Sequence, residues 1–215
     1  MNLNKPLSIL TPTLEADVLM VLVGAKASFT GRQIHQIMGA RSEKGVRSAL
    51  QRLCEQGVVT RVPAGASDLY TLNRIHLAAP YIEALAGLRS ELFTRITETL
   101  TLWKLAPVFV AIFGSAVRRD MHSGSDIDLF IVRPDRVNAD NELWTGQLAE
   151  LAELITGWTG NDARILELSE DQTLAGLAVS KKVLMDIKAQ AIVLFGERTF
   201  LDSQHWQKGK ARHGK

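Results

Sequence analysis

Residues 107–133 read PVFVAIFGSAVRRDMHSGSDIDLFIVR. The pattern predicts a strand, a Gly-Ser turn, a short helix, a loop and a second strand. Val108 to Phe113 is an unbroken apolar run, as in a strand buried on both faces. Gly114-Ser115 ends that run and opens the helix, and a turn of this kind aims backbone N–H groups and a hydroxyl where phosphate binds readily. Asp126-Ile127-Asp128 then leads into Leu129-Phe130-Ile131-Val132. Side chains alternate along a strand, so the two aspartates point the same way. Neighbouring carboxylates repel unless a cation lies between them, and Mg²⁺ is held by one or two carboxylates together with substrate phosphates. A phosphate-binding turn and a carboxylate pair in one short unit point to metal-assisted phosphoryl or nucleotidyl transfer. Two merely solvated aspartates would be an unfavourable choice for a strand flanked by apolar runs.

Gly114-Ser115, ten intervening residues and Asp126-x-Asp128 resemble the signature of the DNA polymerase β-like nucleotidyltransferases. The likeness is greatest to their small prokaryotic branch, the minimal nucleotidyltransferases, which include toxin–antitoxin partners and aminoglycoside-modifying enzymes. It covers residues 107–197. The resemblance implies that Asp126 and Asp128 hold one or two Mg²⁺ ions and that Gly114 and Ser115 grip a nucleoside triphosphate. It gives Arg118 a phosphate contact and puts Ser125 near the phosphates, while Arg119 reads as solvated. The family adds a third carboxylate from a later strand; Glu167, within Leu166-Glu167-Leu168, has that form, with Asp162 in reserve. The reaction implied moves NMP, first of all AMP from ATP, to a hydroxyl on a protein, an RNA or a small molecule.

The chain has 215 residues, 46% hydrophobic and 22% charged, enough for one large domain or two small ones with a real core. The first residues carry no apolar signal-peptide core, and no apolar run is long enough to span a membrane. The single Cys54 forms no internal disulfide, which with the missing signal suggests a cytoplasmic protein. Charge is uneven. Residues 1–75 hold 9 Lys/Arg and 5 Asp/Glu, residues 76–200 hold 12 and 17, and residues 201–215 hold 4 and 1. A basic front, an acidic middle and a basic tail suggest different partners.

In the front part, Thr11-Pro12 reads as a helix start, with Leu14, Val18, Val21 and Leu22 in period and Gly24 as the stop. Thr30 and Gln33 form a capping-box pattern for a second helix, expected to bury Ile34 and Ile37 and to end near Gly39. Ser42 caps a third helix from Glu43 to Gln56, with Val46, Ala49, Leu50 and Leu53 inward and Gly57 as the stop. Val58–Val62 and Leu69–Leu72 read as a hairpin around a turn-rich tip, Pro63 to Asp68. Three short helices and a hairpin in this order resemble the winged helix-turn-helix domain over residues 10–75. That resemblance implies duplex DNA as partner, read by the third helix through Lys44, Arg47, Ser48, Gln51 and Arg52. On a helical protein-interaction domain the same residues would be solvated surface charge.

Residues 75–105 read as one long helical connector with a break at Pro80, its stripe running from Ile82 to Leu100. It is also a candidate homodimer contact. Beyond the signature, Asn141–Trp158 reads as a helix with Leu148, Leu151, Ala152 and Leu154 inward, and Ala163–Leu168 reads as a strand. Two short helices follow, then the apolar Ala191–Gly196 as strand or helix, then a basic tail from Ser203. The expected architecture is α+β: a winged helix-turn-helix domain at 1–75, a connector at 76–105, a nucleotidyltransferase domain at 106–200 and the tail at 201–215. Two functions stay open: a nucleotidyltransferase with an autoregulatory DNA-binding domain, as in an antitoxin with a partner toxin, or a DNA-binding regulator whose transferase domain is inactive or senses nucleotide.

Overall fold

The computed structural model describes residues 1–39, 41–118 and 120–202; Arg119 and the tail from Ser203 lie outside the described residues. The chain divides into two compact units, one of residues 2–89 and one of Met1 with the residues from Ser90 on.

In the first unit, α1 is Leu14–Val23, β1 is Phe29–Thr30, α2 is Gly31–Met38 and α3 is Glu43–Glu55. The hairpin is β2, Val59–Ala64, and β3, Ser67–Leu72, and the unit closes with α4, Ala79–Ala86. The strands form one antiparallel sheet in the order β1-β3-β2. Local chemistry sets the helix starts. Thr30 and Gln33 make the reciprocal capping box on α2, and the Ser42 hydroxyl accepts from the Gly45 amide at the start of α3. The core gathers Val18 and Leu22 of α1, Ile34 of α2, and Val46, Ala49, Leu50 and Leu53 of α3, against Val58, Val59 and Leu72.

Four expectations for this region need correction. α1 is capped at Thr13 rather than Thr11, because Pro12 still lies before the first helical residue. Ile37 is exposed, since α2 has only eight residues and one inward position, Ile34. The hairpin strands run further than the turn-rich composition suggested: Pro63 pairs with Asp68, Ala64 pairs with Ser67, and only Gly65 and Ala66 make the tip. The long connector helix is two helices, α4 and then α5, Leu88–Thr101, parted at Gly87. Pro80 does not break a helix; it occupies the first turn of α4, where its missing N–H costs nothing.

In the second unit, after α5, come β4, Phe109–Phe113, β5, Ile127–Arg133, α6, Glu142–Thr159, β6, Ala163–Ser169, α7, Glu170–Ala178, α8, Lys182–Gln190, and β7, Ile192–Phe195. The sheet is mixed, in the order β6-β5-β4-β7: β5 and β6 run parallel, and β4 is antiparallel to both its neighbours. Register sorts the side chains. Phe109, Ala111, Phe130 and Val132 share one face and pack with Leu177 of α7 and with Leu184 and Ile187 of α8. α6 packs against β6 and buries Trp144, Gln147, Leu151 and Ile155 rather than centring on Leu148 and Leu154. Trp144 meets Trp103 edge-on at 5.5 Å, and the Gln147 side-chain oxygen accepts from the amides of Lys104 and Leu105. This fixes the segment that leads into β4.

Candidate functional site

β4 and β5 present the signature side by side. Phe113, the last residue of β4, is level with Asp128 on β5, so the turn after β4 lies against that aspartate. Gly114 adopts φ +71°, and a Cβ built on it would stand 2.2 Å from Asp128 Oδ2. Only glycine permits both the left-handed backbone and this approach. The expected short helix is a single 3-10 turn, Gly114–Ala116, whose first carbonyl accepts from the amides of Val117 and Arg118.

Asp126 and Asp128 are both half-buried, with Asp128 at the open end of the row formed by Phe130 and Val132. Burial pushes the Asp128 carboxyl above its ordinary range, and the neighbouring charge of Asp126 pushes it the same way. The charges of Arg164 and Arg118 pull it back down. Arg118 also lies 3.3 Å from Asp120. Ser125 points back into its own loop, its hydroxyl accepting from the His122 amide at 3.0 Å. The loop is held from behind by Asn161, whose side-chain amide donates to the carbonyls of Ser123 and Ser125. Asn161 is buried, and its Oδ1 accepts from the Met1 amino group. Its sequence signal is an asparagine directly after the left-handed Gly160 that ends α6. That signal marks a turn and gives no hint of the loop the side chain supports.

The third carboxylate is not where the pattern put it. Across the parallel pair, Asp128 is level with Arg164 and Ile131 with Glu167. Side chains level with each other share a face, so Glu167 projects from the face opposite Asp128. There it accepts from Arg133 Nε at 2.6 Å, and the same guanidinium donates to the Val137 carbonyl. Glu167 is therefore a structural partner of a buried arginine. Asp162 is exposed and precedes β6, with its carbonyl accepting from the Ile127 amide. Level with Asp128 stands a cation instead, and the Arg164 Nε donates to Asp126 Oδ2 at 2.8 Å. Among the described residues, no group of three or more His, Cys, Asp or Glu side chains is placed to hold a metal ion. Two neighbouring carboxylates, Asp126 just before β5 and Asp128 on it, still fit Mg²⁺ when phosphate oxygens complete its shell. The donor set fits a metal arriving with a triphosphate better than a free-standing metal site.

In the first unit, Lys44, Arg47, Gln51 and Arg52 are exposed on α3, and Ser48 is half-buried. Arg47 pairs with Glu43 at 3.3 Å, Gln51 donates to Glu55 at 2.9 Å, and Arg52 pairs with Glu15 of α1. A groove of about 890 Å³ runs between α3 and the hairpin, with Arg32, Arg47 and Arg61 on its walls and Leu50 and Tyr70 among its lining. No helix of the described residues is long and apolar enough to cross a membrane.

The sequence model of the family described as Polymerase beta, Nucleotidyltransferase matches residues 96–190, from within α5 to the end of α8. The matched span holds the Gly114 turn, both aspartates and Arg164. No curated protein matches the chain. Among solved structures, the chain is similar to a toxin–antitoxin crystallised with AMP-PNP, at 17% identity and a TM-score of 0.37, over 56% of this chain and 90% of that one. It is similar in the same degree to a mutant of the toxin–antitoxin MntA-HpeT, at 16% identity and a TM-score of 0.37, over 56% and 90% of the two chains.

Proposed function

We propose that the second unit transfers a nucleoside monophosphate, AMP before others, from a nucleoside triphosphate to a hydroxyl acceptor. The observation that carries this reading is the closure of Gly114 on Asp128, which presses a phosphate-binding turn against a carboxylate pair within the span the nucleotidyltransferase family matches. Asp126 and Asp128 would hold Mg²⁺ together with the phosphates of the nucleotide. When bound, the ion supplies neutralisation of the charge that builds on the reacting phosphate. The turn at Gly114 and Ser115 receives phosphate oxygens, and Arg118, close enough to act on the charge of Asp128, adds a cation for them. Asn161 keeps the loop before Asp126 from drifting, through its bonds to Ser123 and Ser125. This chemistry needs no covalent enzyme intermediate; the work is positioning and charge neutralisation.

The first unit serves as a winged helix-turn-helix that binds duplex DNA. What supports this is three helices followed by a hairpin, with Lys44, Arg47, Gln51 and Arg52 exposed on the third helix. Joined to a minimal nucleotidyltransferase, such a unit makes an autoregulating antitoxin whose acceptor is a hydroxyl on a partner toxin. A second reading is favoured by one observation. Arg164, and no acid, stands level with Asp128, as suits a module that binds nucleotide without turning it over.

The experiment is label transfer from α-labelled ATP in a lysate containing candidate acceptors, with Mg²⁺ and with chelator. Metal-dependent labelling of a protein or RNA band supports the transferase. Nucleotide-dependent heat stabilisation without labelling selects the sensor. Neither effect with any of the four nucleotides ends both readings.

A further inference from the structure

Arg164 stands level with Asp128 and bonds Asp126, so a fixed cation already meets both carboxylates that the transferase reading assigns to the metal. A guanidinium does not lose its proton at physiological pH, so its charge leaves the pair only when the side chain moves. It has room to do so: the Arg164 side chain is 72% exposed, against 25% for Asp126. Exposed ion pairs are held weakly, whereas guanidinium binds phosphate in a matched, two-pronged fashion. The arrangement thus leaves Arg164 free to exchange Asp126 for an incoming polyphosphate.

We propose that Arg164 is a gating residue: it keeps free divalent metal off Asp126 and Asp128 and is drawn away by the phosphates of a nucleoside triphosphate, so that metal and nucleotide enter together. The proposal rests on the transferase reading of the second unit and adds an order of binding to it. A protein built this way holds no metal between turnovers and is insensitive to free Mg²⁺ until nucleotide arrives.

The test is calorimetric titration of the full-length chain with Mn²⁺ alone, and with Mn²⁺ plus a non-hydrolysable ATP analogue. Arg164→Gln should bind Mn²⁺ alone about tenfold more tightly than wild type, the order expected for removing a unit charge about 5 Å from a divalent ion in a watery setting. The same variant should bind Mn²⁺ with the analogue more weakly than wild type. Arg164→Lys, which restores the charge, should return the affinity for Mn²⁺ alone to the wild-type value. Adding Asp126→Asn to Arg164→Gln should erase the gain. If Arg164→Gln binds Mn²⁺ alone no more tightly than wild type, the proposal is overturned. If Arg164→Lys shares the tighter binding of Arg164→Gln, the gating charge is not the cause, and the proposal is overturned again. Failure of the transferase reading shows itself differently, as a wild-type protein that transfers no label, whether or not it binds the analogue.

Discussion

On α3 of the first unit, Arg47 lies 3.3 Å from Glu43 and Arg52 reaches Glu15, while on the neighbouring hairpin Arg61 lies 2.7 Å from Asp68. At the start of β5 in the second unit, Asp126 just before the strand and Asp128 on it stand close enough for their charges to repel, and a backbone turn is pressed against Asp128. The first arrangement is already satisfied, but only by exposed pairs worth up to about 1 kcal/mol each, which a phosphate can replace. The second is satisfied only in part: Arg164 pairs with Asp126 at 2.8 Å, while burial and the charge of Asp126 still raise Asp128. The difference separates a surface whose charges are each paired from an edge where one cation is shared between two acids.

The sharpest way to break this contrast is to neutralise the edge. Asp126→Asn with Asp128→Asn should lower nucleotide transfer roughly a thousandfold or more, since metal-assisted charge stabilisation is worth several kcal/mol and about 1.4 kcal/mol is a factor of ten. The melting temperature should be retained or rise slightly, and DNA binding should be unchanged. Label transfer, calorimetric melting and a DNA-binding titration on one preparation check this.

Next comes Gly114→Ala. The new methyl group would meet Asp128 at 2.2 Å with the backbone at φ +71°. A displacement of about 1 Å at a reacting centre costs roughly a hundredfold in rate, and strained backbone costs on the order of 1–3 kcal/mol. Transfer kinetics should fall on that scale, together with a lower melting temperature. Unchanged kinetics would mean that the turn does not touch the reaction.

On the exchangeable surface, Arg47→Ala with Arg52→Ala should weaken binding to duplex DNA about tenfold. It should also flatten the slope of log affinity against log salt by roughly 2, at about 0.9 per phosphate contact. A titration across salt concentrations reads both. Lost affinity with an unchanged slope would remove phosphate from the account of α3. Smaller still in its effect on chemistry is Glu167→Gln, which should leave transfer unchanged and lower stability by about 1–3 kcal/mol, because it deprives the buried Arg133 of its acid. Transfer that falls with Glu167→Gln would contradict the face on which β6 places this residue.

What could be read from the sequence was what is local. The Thr30–Gln33 capping box, the Ser42 cap and the stripe on α3 all depend on residues three to four apart, where the helix period applies. Glu167 failed because its face depends on how β6 registers with β5, and an acid between two leucines looks the same in either register. Arg164 passed unnoticed for the same reason. Asn161 looked like a turn residue, since its role lies in a loop more than 30 positions away. The single long connector failed on a weaker cue: Gly87 parts α4 from α5, although the apolar stripe runs on through both.

The smallest predicted effect concerns the cost of the edge itself. The folded protein raises Asp128 above the ordinary carboxylate value of 3.8, first by burial and then by the charge of Asp126. A raised carboxyl favours folding while it is protonated, so its contribution is full below the unfolded value and is lost as pH rises through the folded value. At pH 7 the ionised Asp128 therefore works against the fold. Asp128→Asn removes that penalty and should raise the melting temperature by about 2–4 °C for each kcal/mol relieved. The gain should shrink as pH falls toward 3.8 and vanish below it, where wild-type Asp128 is itself neutral. The cations bear on the size of the effect. Arg164 and Arg118 already offset part of the repulsion, so Arg164→Gln should enlarge the gain made by Asp128→Asn at pH 7. Melting curves of wild type, both single variants and the double variant from pH 3 to pH 8 test this. A stabilisation by Asp128→Asn that is equally large at both ends of that range would show that it arises from packing or hydrogen bonding, and the account of the edge as a charge only partly offset would have to be given up.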